Sequence, residues 1–187
     1  LNGIYWGLFM TEERPEARFA ESYFGDDHED YDVVKVTTQS WPYYNIVTDG
    51  NMDAWGELYQ LCEQGFQDNA SYFRLEGKNE EGMPVKGSKI LVDIDNLIDY
   101  MAMTFYTGNV DGPVSAWYGE DMPNNYYAIY NRKDKGKGFV FLAHDSEHCM
   151  FIDPIYVNDG LYENRVEIDD PEMNATDILN FHIQLRE

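Results

Sequence analysis

The segment His144-Asp145-Ser146-Glu147-His148 crowds two carboxylates and two imidazoles directly behind the apolar run Gly138-Phe139-Val140-Phe141-Leu142-Ala143. A set of this kind at the exit of a buried segment points to a metal site, because an unpaired carboxylate at the edge of a core is costly without a cation. The same letters also describe a strand followed by a solvated polar turn. A second cluster upstream shifts the balance toward chemistry: Gly108-Asn109-Val110-Asp111, followed at some distance by Asn124-Asn125. Carboxylate and amide oxygens together suit a hard divalent cation such as magnesium.

The flanking patterns say what must hold these residues. Phe139, Phe141 and Ala143 alternate with Val140 and Leu142, which leaves no polar face and predicts a strand covered on both sides that delivers Asp145 at its end. Asp93 is a good N-cap for a helix in which Ile94, Leu97, Ile98, Met101 and Phe105 recur at helical spacing, and Gly108 suits the left-handed position beyond its end. Asp111 then falls in the loop after a buried helix. Asn124 and Asn125 stand immediately before a second strand, Tyr126-Tyr127-Ala128-Ile129-Tyr130, and the polar turn 131–138 makes a hairpin with the strand that ends at Asp145. Helix, loop Asp, Asn, strand, turn, strand, Asp is the order in which protein kinases arrange a catalytic base, a metal-holding amide and a metal-holding acid.

Elsewhere the periodicity predicts strands over 3–10 and 31–37, helices over 16–24, 52–65 (closed by Gly65) and 176–186, and a loop over 77–89. That loop is not a phosphate-binding loop, since Met83 follows Gly82 where lysine is required. Strands and helices mix without regular alternation, which makes the fold class α+β.

Leu1-Asn2-Gly3-Ile4-Tyr5-Trp6-Gly7-Leu8-Phe9, Asp93-Ile94-Asp95-Asn96-Leu97-Ile98-Asp99-Tyr100, Gly108-Asn109-Val110-Asp111, Asn124-Asn125-Tyr126-Tyr127 and His144-Asp145-Ser146-Glu147 resemble, in order and over nearly the whole chain, the CotH kinase family of spore-coat protein H type. The resemblance implies an atypical protein-kinase-like fold, mostly the large lobe with part of the small lobe, as a single domain over 1–187. It implies ATP and Mg2+ or Mn2+ as cofactors, serine or threonine hydroxyls of secreted or surface proteins as acceptors, and a secreted, cell-surface or spore-coat location. By position, Asp111 becomes the catalytic acid that orients or deprotonates the hydroxyl. Asn125 holds metal, with Asn124 as the alternative one residue away, Asp145 is the principal magnesium ligand, and Glu147 is a nearby acid of open role. Glu13 matches an acid that lies near the nucleotide, and Lys35 matches a family lysine of unassigned role. A lysine ending a strand reads equally as a solvated edge residue.

Phosphoryl transfer calls for these residue types because the moving group carries several negative charges, which cations and fixed position must offset. The chain also departs from the pattern. Residues 112–123 intervene between Asp111 and the asparagines, where a kinase catalytic loop is much shorter. By the resemblance, residue 1 lies in the middle of the family pattern and the last residues lie inside a helix that the family continues, so the chain is expected to be an internal piece that lacks the phosphate-binding lysine. Such a piece could hold metal without transferring phosphate, as a pseudokinase or surface module does.

Composition bounds the rest. With 187 residues, 43% apolar and 16% aromatic, the chain can bury one sizeable core. No run approaches the roughly 20 apolar residues of a membrane helix. Thirteen basic against thirty-five acidic residues give a net charge of −22, which repels nucleic acids and anionic membranes and favours divalent cations and basic protein substrates. The acid runs 26–32 and 167–170 read as loop surface without the spacing of a calcium loop. Cys62 and Cys149 read as buried thiols rather than a disulfide framework. A different class of chemistry is spelled by His144-x-x-Glu147-His148, the inverted zinc-peptidase signature, which requires both histidines on one helix.

Overall fold

The computed structural model describes residues 12–37, 39, 44–109, 111–113, 124–134 and 136–150. Within them lies a four-stranded sheet in the order β2-β1-β3-β4, built from β1 (Tyr31–Thr37), β2 (Tyr44–Asp49), β3 (Tyr126–Asn131) and β4 (Val140–Ala143). Every pairing is antiparallel. The helices are α1 (Ala17–Phe24), α2 (Asp53–Gln64), α3 (Asn69–Phe73) and α4 (Ile94–Tyr106), with short 3-10 turns at His28–Asp30 and Arg74–Glu76. The α+β class is therefore observed, and no described helix is long and apolar enough to cross a membrane.

Period-two alternation in the strands divides the core in two. Val34, Val36, Tyr126, Ala128, Tyr130, Phe139 and Phe141 face α2 and α4, where Trp55, Leu58 and Leu61 meet Leu97, Tyr100 and Met101. On the other side Tyr31, Val33, Tyr127 and Ile129 pack against Ala17 and Ala20 of α1. β3 is buried at every position because it is flanked by β1 and β4 and covered on both faces. β4 is less covered than its sequence implies: Phe139 and Phe141 are buried, but Val140 and Leu142 are half-buried and Ala143 is exposed. Its place at the sheet edge is the reason.

α4 begins as its sequence predicts, with the Asp93 carboxylate accepting from the Asn96 N–H at 3.0 Å. Backbone bonds from Phe139 N–H to Leu91 O (2.8 Å) and from Asp93 N–H to Phe139 O (3.1 Å) lay the approach to α4 against the start of β4. Gly138 permits that contact, since a Cβ there would run into the Val92 backbone. Farther along, Asn96 clasps β4 by accepting from Phe141 N–H (2.6 Å) and donating to Phe141 O (3.2 Å). The two segments that carry Asp111 and Asp145 are thereby held side by side.

Several expectations change. β2 was not expected, although Tyr44-Asn45-Ile46-Val47-Thr48 before Asp49-Gly50 carries a short strand-and-turn pattern. The first acid run is not uniformly loop surface: Asp27 caps the 3-10 turn at His28–Asp30, while Asp32 lies in β1 at 1% exposure and is ion-paired to Arg132. Cys62 is buried, which pushes its thiol pKa up, whereas Cys149 is only half-buried, and neither is in a disulfide. The expected strand over 3–10, the helix over 176–186 and the acid run 167–170 lie outside the described residues.

Candidate functional site

Asp111 is the centre of the site. It is 8% exposed, and its N–H donates to Asn109 Oδ1 at 3.0 Å, a local turn that aims the side chain inward. Asn124 Nδ2 donates to Asp111 Oδ1 at 2.6 Å. Asn125 Nδ2 donates to Asp111 Oδ2 and to Asp111 O, each at 2.9 Å. The long intervening segment therefore does not separate the asparagines from the acid. Both amides point their N–H groups at Asp111, which leaves their carbonyl oxygens for other partners.

The two asparagines differ in what else they reach. Asn124 is buried, at 3% exposure. Asn125 is half-buried and also extends to the Asp145 carbonyl, at 3.4 Å. Asn125 and Asp145 both adopt left-handed backbone, with φ of 47° and 52°, a conformation that Asn and Asp tolerate better than other L-residues but that still costs energy. These reversals turn the end of β4 and the start of β3 toward one another. Between them opens a cleft of about 110 Å³ lined by Lys35, Val36, Asn124, Asn125, Tyr126, His144 and Asp145.

Lys35 enters that cleft from β1. The strand is interior to the sheet, between β2 and β3, so Lys35 is half-buried rather than a solvated edge residue. Its Nζ lies 5.4 Å from the centre of the Tyr127 ring, a cation–π contact that holds the ammonium over the sheet. The other edge of Tyr127 meets His144, ring centroids 5.1 Å apart. His144 Nδ1 lies 3.0 Å from Glu12 Oε1.

Electrostatics follow from burial and crowding. Burial raises the Asp111 carboxyl above its ordinary pKa; the Asn124 hydrogen bond and the nearby His148 oppose that rise without cancelling it. Glu147, exposed beside Asp145, is also held above its usual range, chiefly by a hydrogen bond with the Asp145 carboxyl and then by partial burial. A divalent cation would relieve the crowding of Glu147 against its neighbouring acid. Asp145, Glu147 and the free amide oxygen chemistry of Asn125 fit a hard, oxygen-seeking ion.

Of the residues singled out in the sequence, Asp111, Asn124, Asn125, Asp145, Glu147 and Lys35 gather around this cleft. Glu13 does not line it: the side chain is exposed and accepts a hydrogen bond from Tyr23 Oη at 2.7 Å. Its neighbour Glu12 reaches the cleft residue His144 instead. Neither Glu12 nor Tyr127 was singled out, because Glu12 carries no pattern and Tyr127 reads as core. The zinc-peptidase spelling lacks its context, since residues 144–150 form turns and irregular backbone rather than a helix. His148 Nε2 is 3.7 Å from Glu147 Oε1, while His144 turns to Glu12. Among the described residues the one trio of His, Cys, Asp or Glu side chains whose ligand atoms converge is Glu21, Asp27 and His28, near the end of α1, and not the acids of the cleft; exposed acids clustered at a surface are unexceptional.

Compared with family models, curated proteins and solved structures, the chain matches none.

Proposed function

We propose that this chain carries the metal-binding and catalytic half of a kinase-like phosphoryl-transfer site of the CotH type, acting with ATP and Mg2+ or Mn2+ on serine or threonine hydroxyls. The observation that carries the reading is the bonding of Asn125, whose amide nitrogen grips both the carboxylate and the backbone of Asp111 while it reaches Asp145. Because the contact with Asp145 is to its backbone carbonyl, the amide ties the buried Asp111 carboxylate to the turn that carries the exposed Asp145, an arrangement compatible with a base beside a metal.

In this reading Asp111 accepts the hydroxyl proton as the hydroxyl oxygen bonds to the γ-phosphorus and the bond from that phosphorus to the leaving oxygen of ADP breaks. Asn124 and Asn125 keep the Asp111 carboxylate oriented. Asp145 and the Asn125 amide oxygen would hold a divalent metal, with Glu147 beside them, and when bound it would supply charge neutralisation for the phosphates. Lys35, steadied by Tyr127, is the cation for a phosphate oxygen. The surplus of acid over the chain favours basic acceptor proteins. A secreted or surface setting is part of the same proposal.

A second reading, a metal-binding module without catalysis, draws on the size of the cleft. About 110 Å³ is well below the roughly 300–1,000 Å³ of sites for larger ligands, which suits an ion and a phosphoryl group rather than a whole nucleotide. One titration separates the two: magnesium or manganese with ATP, followed by heat release and melting temperature, beside Asp145→Ala. The kinase reading expects nucleotide binding that needs metal and vanishes in the variant. Metal binding without any nucleotide response would favour the module, and binding unchanged in Asp145→Ala would overturn both.

A further inference from the structure

His144 is fixed from two directions. Its Nδ1 lies 3.0 Å from Glu12 Oε1, and its ring meets the Tyr127 ring edge-on, with centroids 5.1 Å apart and planes at 84°. An ionised carboxylate only accepts hydrogen bonds, so Nδ1 carries the proton in the pair with Glu12. Nε2, across the ring, keeps its lone pair and has no hydrogen-bond partner among the described residues. His144 lines the cleft together with Asn125 and Asp145, which makes Nε2 the nitrogen left for a ligand there.

The other described histidines are placed differently. His28 sets its Nδ1 3.1 Å from Asp27 Oδ1 and 3.5 Å from Glu21 Oε1, away from the cleft. His148 turns its Nε2 toward Glu147, at 3.7 Å. Among the described residues, only His144 joins a carboxylate-held nitrogen to a place in the cleft wall.

An imidazole that binds metal through one nitrogen usually donates the other N–H to a carboxylate, which fixes the tautomer and makes the ligand nitrogen more basic. Glu12 stands in that position. A nitrogen ligand also changes which ion is preferred: carboxylate and amide oxygens alone suit Mg2+, whereas imidazole beside oxygen suits a first-row transition ion such as Mn2+. His144 and the cleft acids do not form a closed trio of converging ligand atoms. The chain would therefore supply part of the coordination shell, and water or ligand oxygens the rest.

We propose that His144 Nε2, held by Glu12, is a nitrogen ligand in the cleft and gives it a preference for Mn2+ over Mg2+, an inference that rests on the cleft being a metal site. Glu12 acts through His144 and is a positioning residue.

Electron spin-echo spectra of the full chain loaded with Mn2+ alone, beside calorimetric titrations of Mn2+ and of Mg2+, test it. Bound Mn2+ should show modulation from a directly coordinated nitrogen. His144→Phe, which keeps a ring against Tyr127, should abolish that modulation, and His28→Asn should leave it. His144→Phe and Glu12→Ala should each weaken Mn2+ binding by about 10-fold or more, with Mg2+ affinity unchanged. If His144→Phe lowers the melting temperature, Glu12→Ala decides through the same two affinities, since the imidazole itself is left in place. Mn2+ binding that weakens in Asp145→Ala but shows no nitrogen modulation overturns this proposal and leaves the metal site standing. Modulation lost in His28→Asn places the nitrogen at the end of α1 and also overturns it. Mn2+ that binds unchanged in Asp145→Ala, or does not bind at all, overturns both the nitrogen ligand and the metal site.

Discussion

The two ends of β3 handle buried polar groups in opposite ways. At the Asn131 end, charges are neutralised within the chain: Asp32 pairs with Arg132, Asp30 with Lys133 at 2.5 Å, and Asn131 Oδ1 accepts from the N–H groups of Lys133 and Asp134. Arg132 also donates to the carbonyls of Glu29 and Tyr31, tying the turn to the sheet. At the Tyr126 end, Asp111, Asp145 and Glu147 form no ion pair with lysine or arginine among the described residues; they meet amides, a histidine and one another. One end is closed electrostatically and serves stability. The other keeps negative charge and strained backbone, the marks of a site meant to bind something else.

The largest effect that tests this contrast belongs to the closed end. Arg132→Met leaves the buried Asp32 without its cation and should cost about 3–5 kcal/mol in urea unfolding, with the metal response of the cleft retained in the folded fraction. A loss below 1 kcal/mol would mean that this end is not the electrostatic clamp described. At the open end, Asp111→Ala strips the acceptor from two amide donors and should cost about 1–3 kcal/mol. In an active protein it should also lower phosphate transfer by about 10²–10⁴-fold, the usual contribution of a general base. Equal stability losses with transfer intact would remove Asp111 from the mechanism.

pH sharpens the comparison further. Because burial raises the Asp111 pKa in the folded state, its contribution to stability is complete below the ordinary carboxyl value of about 4 and is lost as pH rises through the raised value. Unfolding measured over a pH series should therefore show the unsubstituted chain losing stability relative to Asp111→Asn as pH climbs from about 4 toward neutrality. The acid limb of any transfer activity should likewise sit above pH 4. A constant difference between the two chains would contradict the raised value.

The smallest expected effect concerns Tyr127. Tyr127→Phe keeps the ring under Lys35 and should leave nucleotide affinity unchanged, whereas Tyr127→Leu removes a contact worth about 0.5–1 kcal/mol. Isothermal titration should register the second as a weakening of two- to five-fold, and identical affinities would show that the ring does not position Lys35.

Much of this was legible in the residues. Asp93 as cap and the spacing from Ile94 to Phe105 define α4, the run 31–37 is β1 to the residue, and Gly65, with φ of 73°, closes α2. The acids and amides of the cleft were visible as residue types. Their partners were not: Glu13 and Glu12 look alike in sequence, yet only Glu12 turns toward the cleft, and Asp32 sits in an acid run that otherwise faces solvent.

Sequence alone determined what depends on neighbours within a turn or two: caps, periodicity, the hairpin signal and the supply of carboxylates. Tertiary structure decided everything set by distant pairing. β1 pairs with β3 so that Lys35 stands opposite Tyr127, which moves the lysine from a presumed edge to the cleft wall. The backbone reversals at Asn125 and Asp145 then decide which amide reaches both the Asp111 carboxylate and the Asp145 carbonyl. Local propensity acts through sterics and hydrogen bonds a few residues apart, whereas strand order and the meeting of residues 111, 125 and 145 come from burying one shared core.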